Sequence, residues 1–195
     1  MDIKTGPQHK KAKNKHILVA AFDVDNTLLP DASGQPPSPA FTQAAVQAAQ
    51  QGVAISIVSA RGVNKVLPTL IKPLLEAGVP PELIRWHGLA NGAQIYDVME
   101  HKIVQEHVIP IDIAQQLMTY LQGQGVQHWV NDSDGLDCRD YFWAQGTTYA
   151  SVRDQWQEPS AENSVELPKY VPNKPLVLVA NDVPAAVYKE LLKMR

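Results

Sequence analysis

Two aspartates, Asp23 and Asp25, stand one residue apart directly after an apolar run at residues 17–22. Alternate residues of an extended strand point the same way, so two carboxylates at this spacing can converge on one point. Held close together, they repel unless a proton or a cation intervenes. Magnesium suits oxygen ligands of this kind and phosphate-bearing substrates, and beside it one carboxylate can attack phosphorus while the other moves a proton. The same pair also fits a strand that merely ends in a turn, because Asp and Asn favour turns and helix N-caps.

The flanking residues separate these readings. Residues 22–29, FDVDNTLL, resemble the first motif of the haloacid dehalogenase superfamily, whose usual form is DxDGTL after a hydrophobic strand. The resemblance implies that Asp23 is the nucleophile that becomes a phospho-aspartate, that Asp25 is the general acid/base, and that both serve a Mg2+ site. Asn26 stands where Gly is commoner, and Asn tolerates the left-handed backbone region better than most residues with a Cβ. Residues 53–58, VAISIV, form a second apolar strand that ends in Ser59-Ala60-Arg61-Gly62. This tip is similar to the family's second motif, a Ser or Thr often written TGR, which gives Ser59 the task of hydrogen-bonding the transferring phosphoryl group with Arg61 nearby. Taken alone, Ser59 is an N-cap for the next helix; its place after the DxD strand favours the phosphate role. Residues 83–87 offer a third short strand. Residues 90–97, ANGAQIYD, resemble the NGAxIYD stretch of the Cof-type branch, the sugar-phosphate and cofactor phosphatases. In that branch the Asn contacts substrate phosphate, which marks Asn91, with Gly92 beside it, as a binding residue.

Strands and helices alternate along the first half of the chain, the pattern of an α/β fold with a parallel sheet. Residues 30–39 are a Pro, Gly and Ser-rich loop, Ser38 is placed to N-cap a helix running to about residue 51, and Gly52 ends it. Residues 63–77 are also helical in pattern, with Pro68 and Pro73 expected to kink or split them. This order sets the motif residues at the carboxyl ends of successive strands, where open α/β sheets bind ligands. Beyond Tyr96 the character changes: a hairpin at 94–98 and 102–108, a helix at 111–122, aromatic stretches at 127–130 and 141–143, a strand at 176–180 and a final helix at 184–194. The resemblance turns this into an expected architecture: an incomplete Rossmann-like parallel sheet with a partial α+β cap domain. The expected division is a disordered basic tail at 1–15, a core at 16–108 and a cap at 109–195.

The superfamily pattern continues with a Lys and then a strand ending in GDxxND, whose acids complete the magnesium site. Neither is found, because Lys169 and Lys174 fall inside the cap segment, and the chain is expected to stop partway through the cap. In the family's sheet order the absent strand lies beside the one carrying the nucleophile. Residues 17–22 are therefore expected to form an open apolar edge, which invites pairing, so a homodimer or a complementing C-terminal fragment is the expected macromolecular partner.

Other features of the second half have plainer explanations. Residues 131–137, NDSDGLD, lack the register and terminal Glu of a calcium loop and fit a turn. His87, His101, His107 and His128 lack the spacing of a zinc site. Trp129, Trp143 and Trp156 suit a cap core, and Asn181-Asp182 suits an N-cap before the last helix.

Composition is that of a cytoplasmic enzyme domain: 195 residues, 45% hydrophobic and 19% charged, suffice for a sizeable core. No stretch approaches the roughly 20 apolar residues that cross a bilayer, and the single Cys138 fits a reducing compartment. Residues 1–15 carry five lysines and one Asp, which leaves an acidic remainder and argues against nucleic acid as a partner. The expected activity is magnesium-dependent hydrolysis of a small phosphorylated metabolite, a sugar phosphate or cofactor phosphate, through an aspartyl-phosphate. The alternative is a catalytically inactive fragment that serves as a binding or interaction module.

Overall fold

Parallel pairing of β1 (Val19–Phe22) with β2 (Ala54–Ile57) founds the first half of the molecule. The computed structural model describes residues 18–29, 36–145, 149–152, 164–165 and 173–194; the basic tail, Trp156 and Lys169 lie outside these. Between the two strands runs α1 (Pro39–Gln50), started as expected by Ser38, whose Oγ accepts the Phe41 N–H at 3.2 Å. Gly52, at φ 79°, turns the chain into β2. After β2 come α2 (Val63–Val66), a π-helical turn at Leu67–Ile71 and α3 (Lys72–Glu76). The widened turn absorbs Pro68: the Lys72 N–H reaches back five residues to the Leu67 carbonyl, and the helical path continues without a break.

The third strand begins later than the sequence pattern implies. Pro81–Leu83 form a 3-10 turn, so β3 covers Trp86–Leu89 and continues into an antiparallel meander with β4 (Gln94–Asp97) and β5 (Lys102–Glu106). A single parallel bridge, Val58 to Gly88, joins this meander to β2. Side chains complete the splice. Ser56 Oγ donates to the Trp86 carbonyl at 2.8 Å, and the buried His87 ring accepts the Ile57 N–H at Nδ1 at 2.9 Å. Its Nε2 lies 2.8 Å from the Ile84 carbonyl, so the ring is the neutral tautomer with its proton on Nε2. His87 is thus a satisfied core residue.

One face of the joined sheet is covered and the other is bare. Ile55, Ile57, Leu89 and Tyr96 pack with Leu70 and Leu74 of the helices into two adjoining clusters. On the opposite face Val19 is 57% exposed, and Val58 and Trp86 are each 47% exposed. β1 pairs with β2 alone among the described strands, so the expected apolar edge is present.

The second half is a five-stranded antiparallel sheet, formed by β6 (His128–Asp134), β7 (Asp137–Trp143), β8 (Tyr149–Val152), β9 (Ser164–Val165) and β10 (Pro175–Ala180). Its strand order is β10-β6-β7-β8-β9. Two helices, α4 (Ile111–Gly123) and α5 (Ala185–Leu191), cover one face of it through Met118, Leu121 and Val187. Residues 131–134, expected in a turn, belong to β6; the turn is only Gly135-Leu136, with Gly135 at φ 65°. Asp132 has a local structural task, accepting the N–H groups of Asn173 and Lys174. The N-cap expected from Asn181-Asp182 is not formed, since Pro184 holds that position without a side-chain bond. Trp143 is buried in the core of this half, stacked 5.4 Å from His128. Among the described residues no helix is long and apolar enough to cross a membrane.

Burial pushes the His87 imidazole down to about 4 from its ordinary 6.5. The unfolded chain therefore binds the extra proton first, and the stability contributed by the neutral ring is complete above pH 6.5 and lost as pH falls from 6.5 towards 4. Urea unfolding should show about 3 kcal/mol of this loss, and the difference in stability between wild type and His87→Gln should shrink over the same interval. A difference independent of pH would refute the assignment.

Candidate active site

The site is assembled from the loops that leave the carboxyl ends of β1, β2 and β3. After Phe22 the chain leaves the ladder and the next residues alternate sharply: Asp23 is exposed, Val24 is fully buried and Asp25 is partly buried. Val24 anchors the loop twice. Its side chain joins the Ile57 and Leu89 cluster, and its carbonyl accepts the N–H groups of Thr27, Leu28 and Leu29. Asn26 adopts φ 59° within this turn, the left-handed conformation that its residue type tolerates.

Asp23 and Asp25 have different surroundings. The Asp23 carboxylate has one hydrogen-bond partner among the described residues, the Thr27 hydroxyl at 3.3 Å. Asp25 is held by Arg61, whose Nη2 lies 2.5 Å and Nε 3.2 Å from Oδ1, with Nε 3.3 Å from Oδ2. The Arg61 side chain is 3% exposed and that of Asp25 is 36% exposed. This ion pair spans 36 residues of sequence and fixes the second aspartate to the second motif. Sequence reasoning put Arg61 near the phosphate; the structure shows its guanidinium engaged with Asp25.

Ser59 is buried, and its Oγ accepts the Arg61 N–H at 3.1 Å. It is not a helix cap, because α2 begins at Val63 with Gly62 in the N-cap position. The backbone of the same turn receives the third motif: Asn91 N–H donates to the Ser59 carbonyl at 3.1 Å, and Ala90 N–H to the Arg61 carbonyl at 3.0 Å. Ala90, Asn91 and Gly92 all have positive φ, at 49°, 54° and 86°. For Ala90 that conformation costs about 1–2 kcal/mol, so its neighbours must impose it. The structure thus joins Asp25, Arg61, Ser59 and Asn91 through direct bonds, leaves Asn91 and Gly92 exposed, and leaves Asp23 facing solvent at the end of the neighbouring strand.

The expected Mg2+ calls for several oxygen donors at one point. Asp23 is a free oxygen donor of the right chemistry, but Asp25 is already neutralised by Arg61. Among the described residues no group of three acidic, His or Cys side chains could hold a metal ion. These residues therefore do not fit a complete magnesium site.

Sequence reasoning missed the contacts that seat the second sheet on this site. Gly62 abuts Cys138 so closely that a Cβ there would stand 2.5 Å from that of Cys138. Asn64 donates to Asp137 at 2.8 Å, and Lys65 pairs with Asp140 at 2.9 Å. Ala90, Ala93, Cys138 and Leu176 form a small apolar cluster at the same junction. The only available signal was Gly62 after the TGR-like tip, and its partner lies 76 residues away.

Substitution at Asn26 tests the loop that carries the aspartates. Asn26→Gly should leave thermal stability nearly unchanged, whereas Asn26→Val should cost about 1–2 kcal/mol because a β-branched side chain resists positive φ. Equal stability of the two variants would contradict the observed backbone.

A family model of haloacid dehalogenase-like hydrolases matches residues 20–191. No curated protein matches the chain. Among solved structures, a haloacid dehalogenase-like hydrolase from B. subtilis is similar at 24% identity, with 58% of this chain and 36% of that one covered and a TM-score of 0.45. A protein from Bacteroides thetaiotaomicron, described among phosphatases of the haloalkanoate enzyme superfamily, is 18% identical over 64% of this chain and 42% of that one, with a TM-score of 0.47. A Thermotoga maritima protein is 19% identical over 61% of this chain and 40% of that one, with a TM-score of 0.43. The chain spans roughly two fifths of the length of these structures.

Proposed function

Because the chain belongs to the haloacid dehalogenase-like hydrolases, we propose that it carries the nucleophile-bearing part of a phosphatase site for a small phosphomonoester, a sugar phosphate or cofactor phosphate. The observation that supports this most is the lacing of Asp25, Arg61, Ser59 and Asn91 at the strand ends beside a free Asp23. In the proposed reaction an Asp23 carboxylate oxygen forms a bond to phosphorus as the ester P–O bond breaks, and Asp25 gives the leaving oxygen its proton. Water then attacks phosphorus as the Asp23 O–P bond breaks and the carboxylate is regenerated, Asp25 takes a proton from that water, and inorganic phosphate leaves. Arg61 orients Asp25, while Ser59, Asn91 and Gly92 border the phosphate. Mg2+ belongs to the proposal through the family resemblance, with Asp23 the carboxylate free to contribute to its binding. The division into a core at 16–108 and a cap at 109–195, and a cytoplasmic setting in keeping with the one unpaired Cys138, belong to the same proposal.

Hydrolysis of p-nitrophenyl phosphate in the presence of Mg2+ tests it. Asp23→Asn should abolish turnover and Asp25→Asn should lower kcat by about 10²–10⁴-fold. Turnover that survives Asp23→Asn would overturn the nucleophile assignment. Phosphate binding without turnover would favour the alternative, a non-catalytic binding module.

The open β1 edge and the exposed Val19, Val58 and Trp86 support a further part of the proposal, association as a homodimer or with a complementing C-terminal fragment. Sedimentation of the chain alone should show concentration-dependent association that Val58→Lys weakens. A monomer at every concentration would count against self-association and leave the complementing fragment to be tested by mixing.

A further inference from the structure

The loop that carries Asn91 holds an unfavourable backbone conformation, and the structure points to the residue that imposes it. Leu89 and Gln94 form the last pair of the β3–β4 ladder, so the loop of residues 90–93 closes on Gln94. Gln94 is fully buried. Its Nε2 donates to Glu106 Oε1 at 2.8 Å and to Ser133 Oγ at 3.2 Å, and its Oε1 accepts from the Cys138 thiol at 3.4 Å. Ser133 also donates to Glu106 Oε1 at 2.9 Å, and Lys174 lies 3.4 Å from Glu106 Oε2. One amide therefore ties the loop's closing pair to β5 and to β6 and β7 of the second sheet. A buried amide with donor and acceptor both engaged is expensive to displace.

We propose that Gln94 is a positioning residue for phosphate recognition, through which the second sheet holds the loop of Ala90, Asn91 and Gly92 against Ser59 and Arg61. The proposal rests on the reading of Asn91 and Ser59 as phosphate-bordering residues, and it gives a task to the position that the NGAxIYD stretch leaves unspecified. Without the Gln94 bonds, the strained Ala90 and Asn91 would relax, releasing their N–H groups from the carbonyls of Arg61 and Ser59.

Two measurements on the full chain separate this role from general packing. Amide hydrogen exchange of Gln94→Leu should accelerate about tenfold or more at Ala90 and Asn91 while Ile57, bonded to His87, keeps its protection. Titration with inorganic phosphate should show a matching loss of affinity. Met118→Ala, in the core of the second sheet, should lower the melting temperature without either effect. Gln94→Glu should weaken phosphate binding by facing Glu106 with a like charge, and Gln94→Glu combined with Glu106→Gln should restore it by reversing the direction of the bond. Unchanged exchange at Ala90 and Asn91 in Gln94→Leu, equal acceleration at Ile57, or failure of the double variant to recover would overturn the proposal. If the wild-type chain binds no phosphate, the functional reading of the site fails, whereas the exchange pattern still decides whether Gln94 holds the loop.

Discussion

Everything at the candidate site depends on how the β3 meander is attached to the parallel pair, and a neutral imidazole shares that attachment with one backbone bridge and the Ser56 hydroxyl. Only one backbone bridge joins β2 to β3. His87 supplies what a longer ladder would have supplied, taking the Ile57 N–H on one ring nitrogen and reaching the Ile84 carbonyl with the other. A protonated ring would present two donors and lose the first bond. The burial that lowers its proton affinity is thus the condition for its structural role. With β3 held in place, the Gly88 carbonyl receives the Ser59 N–H, and the Asn91 loop falls onto the turn after β2.

From that attachment the strain at residues 90–92 becomes intelligible. A loop of four residues must leave the end of β3, touch the Ser59 turn and return as β4. Glycine alone would satisfy such a path cheaply, and Gly92 takes the most extended of the three positive φ values. Ala90 and Asn91 accept the remainder because their N–H groups are bonded and because the Ala90 methyl is buried beside Cys138 and Leu176. The second sheet therefore packs directly on the loop of residues 90–92 as well as standing beside it.

Legibility in the sequence follows the range of the interaction. Ser38 as a cap, Gly52 as a stop, and the DxD strand with its left-handed Asn26 are set by bonds a few residues long, and these were readable. The start of β3 was misplaced because Pro81–Leu83 spend residues on a 3-10 turn that apolar content alone does not reveal. Residues 131–134 were assigned to a turn on composition. They lie in a strand because Asp132 and Ser133 find partners at residues 173–174 and at Glu106, far along the chain. Arg61 shows the same limit within the site. Its motif was recognisable, but its bidentate hold on Asp25 arises from packing.

The two aspartates end in unequal positions, and the inequality has a single structural source. Asp25 is reached from β2, the interior neighbour of β1, and Arg61 satisfies it from that side. Asp23 follows the strand whose other edge has no partner among the described residues, and among those residues its carboxylate is bonded by Thr27 alone. Parallel strands are ordinarily covered on both faces, yet Val19 and Val58 present bare apolar surface on one side of this pair. The uncovered strand and the less tightly held aspartate thus meet at β1: among the described residues nothing pairs along that edge, next to the backbone leading into Asp23.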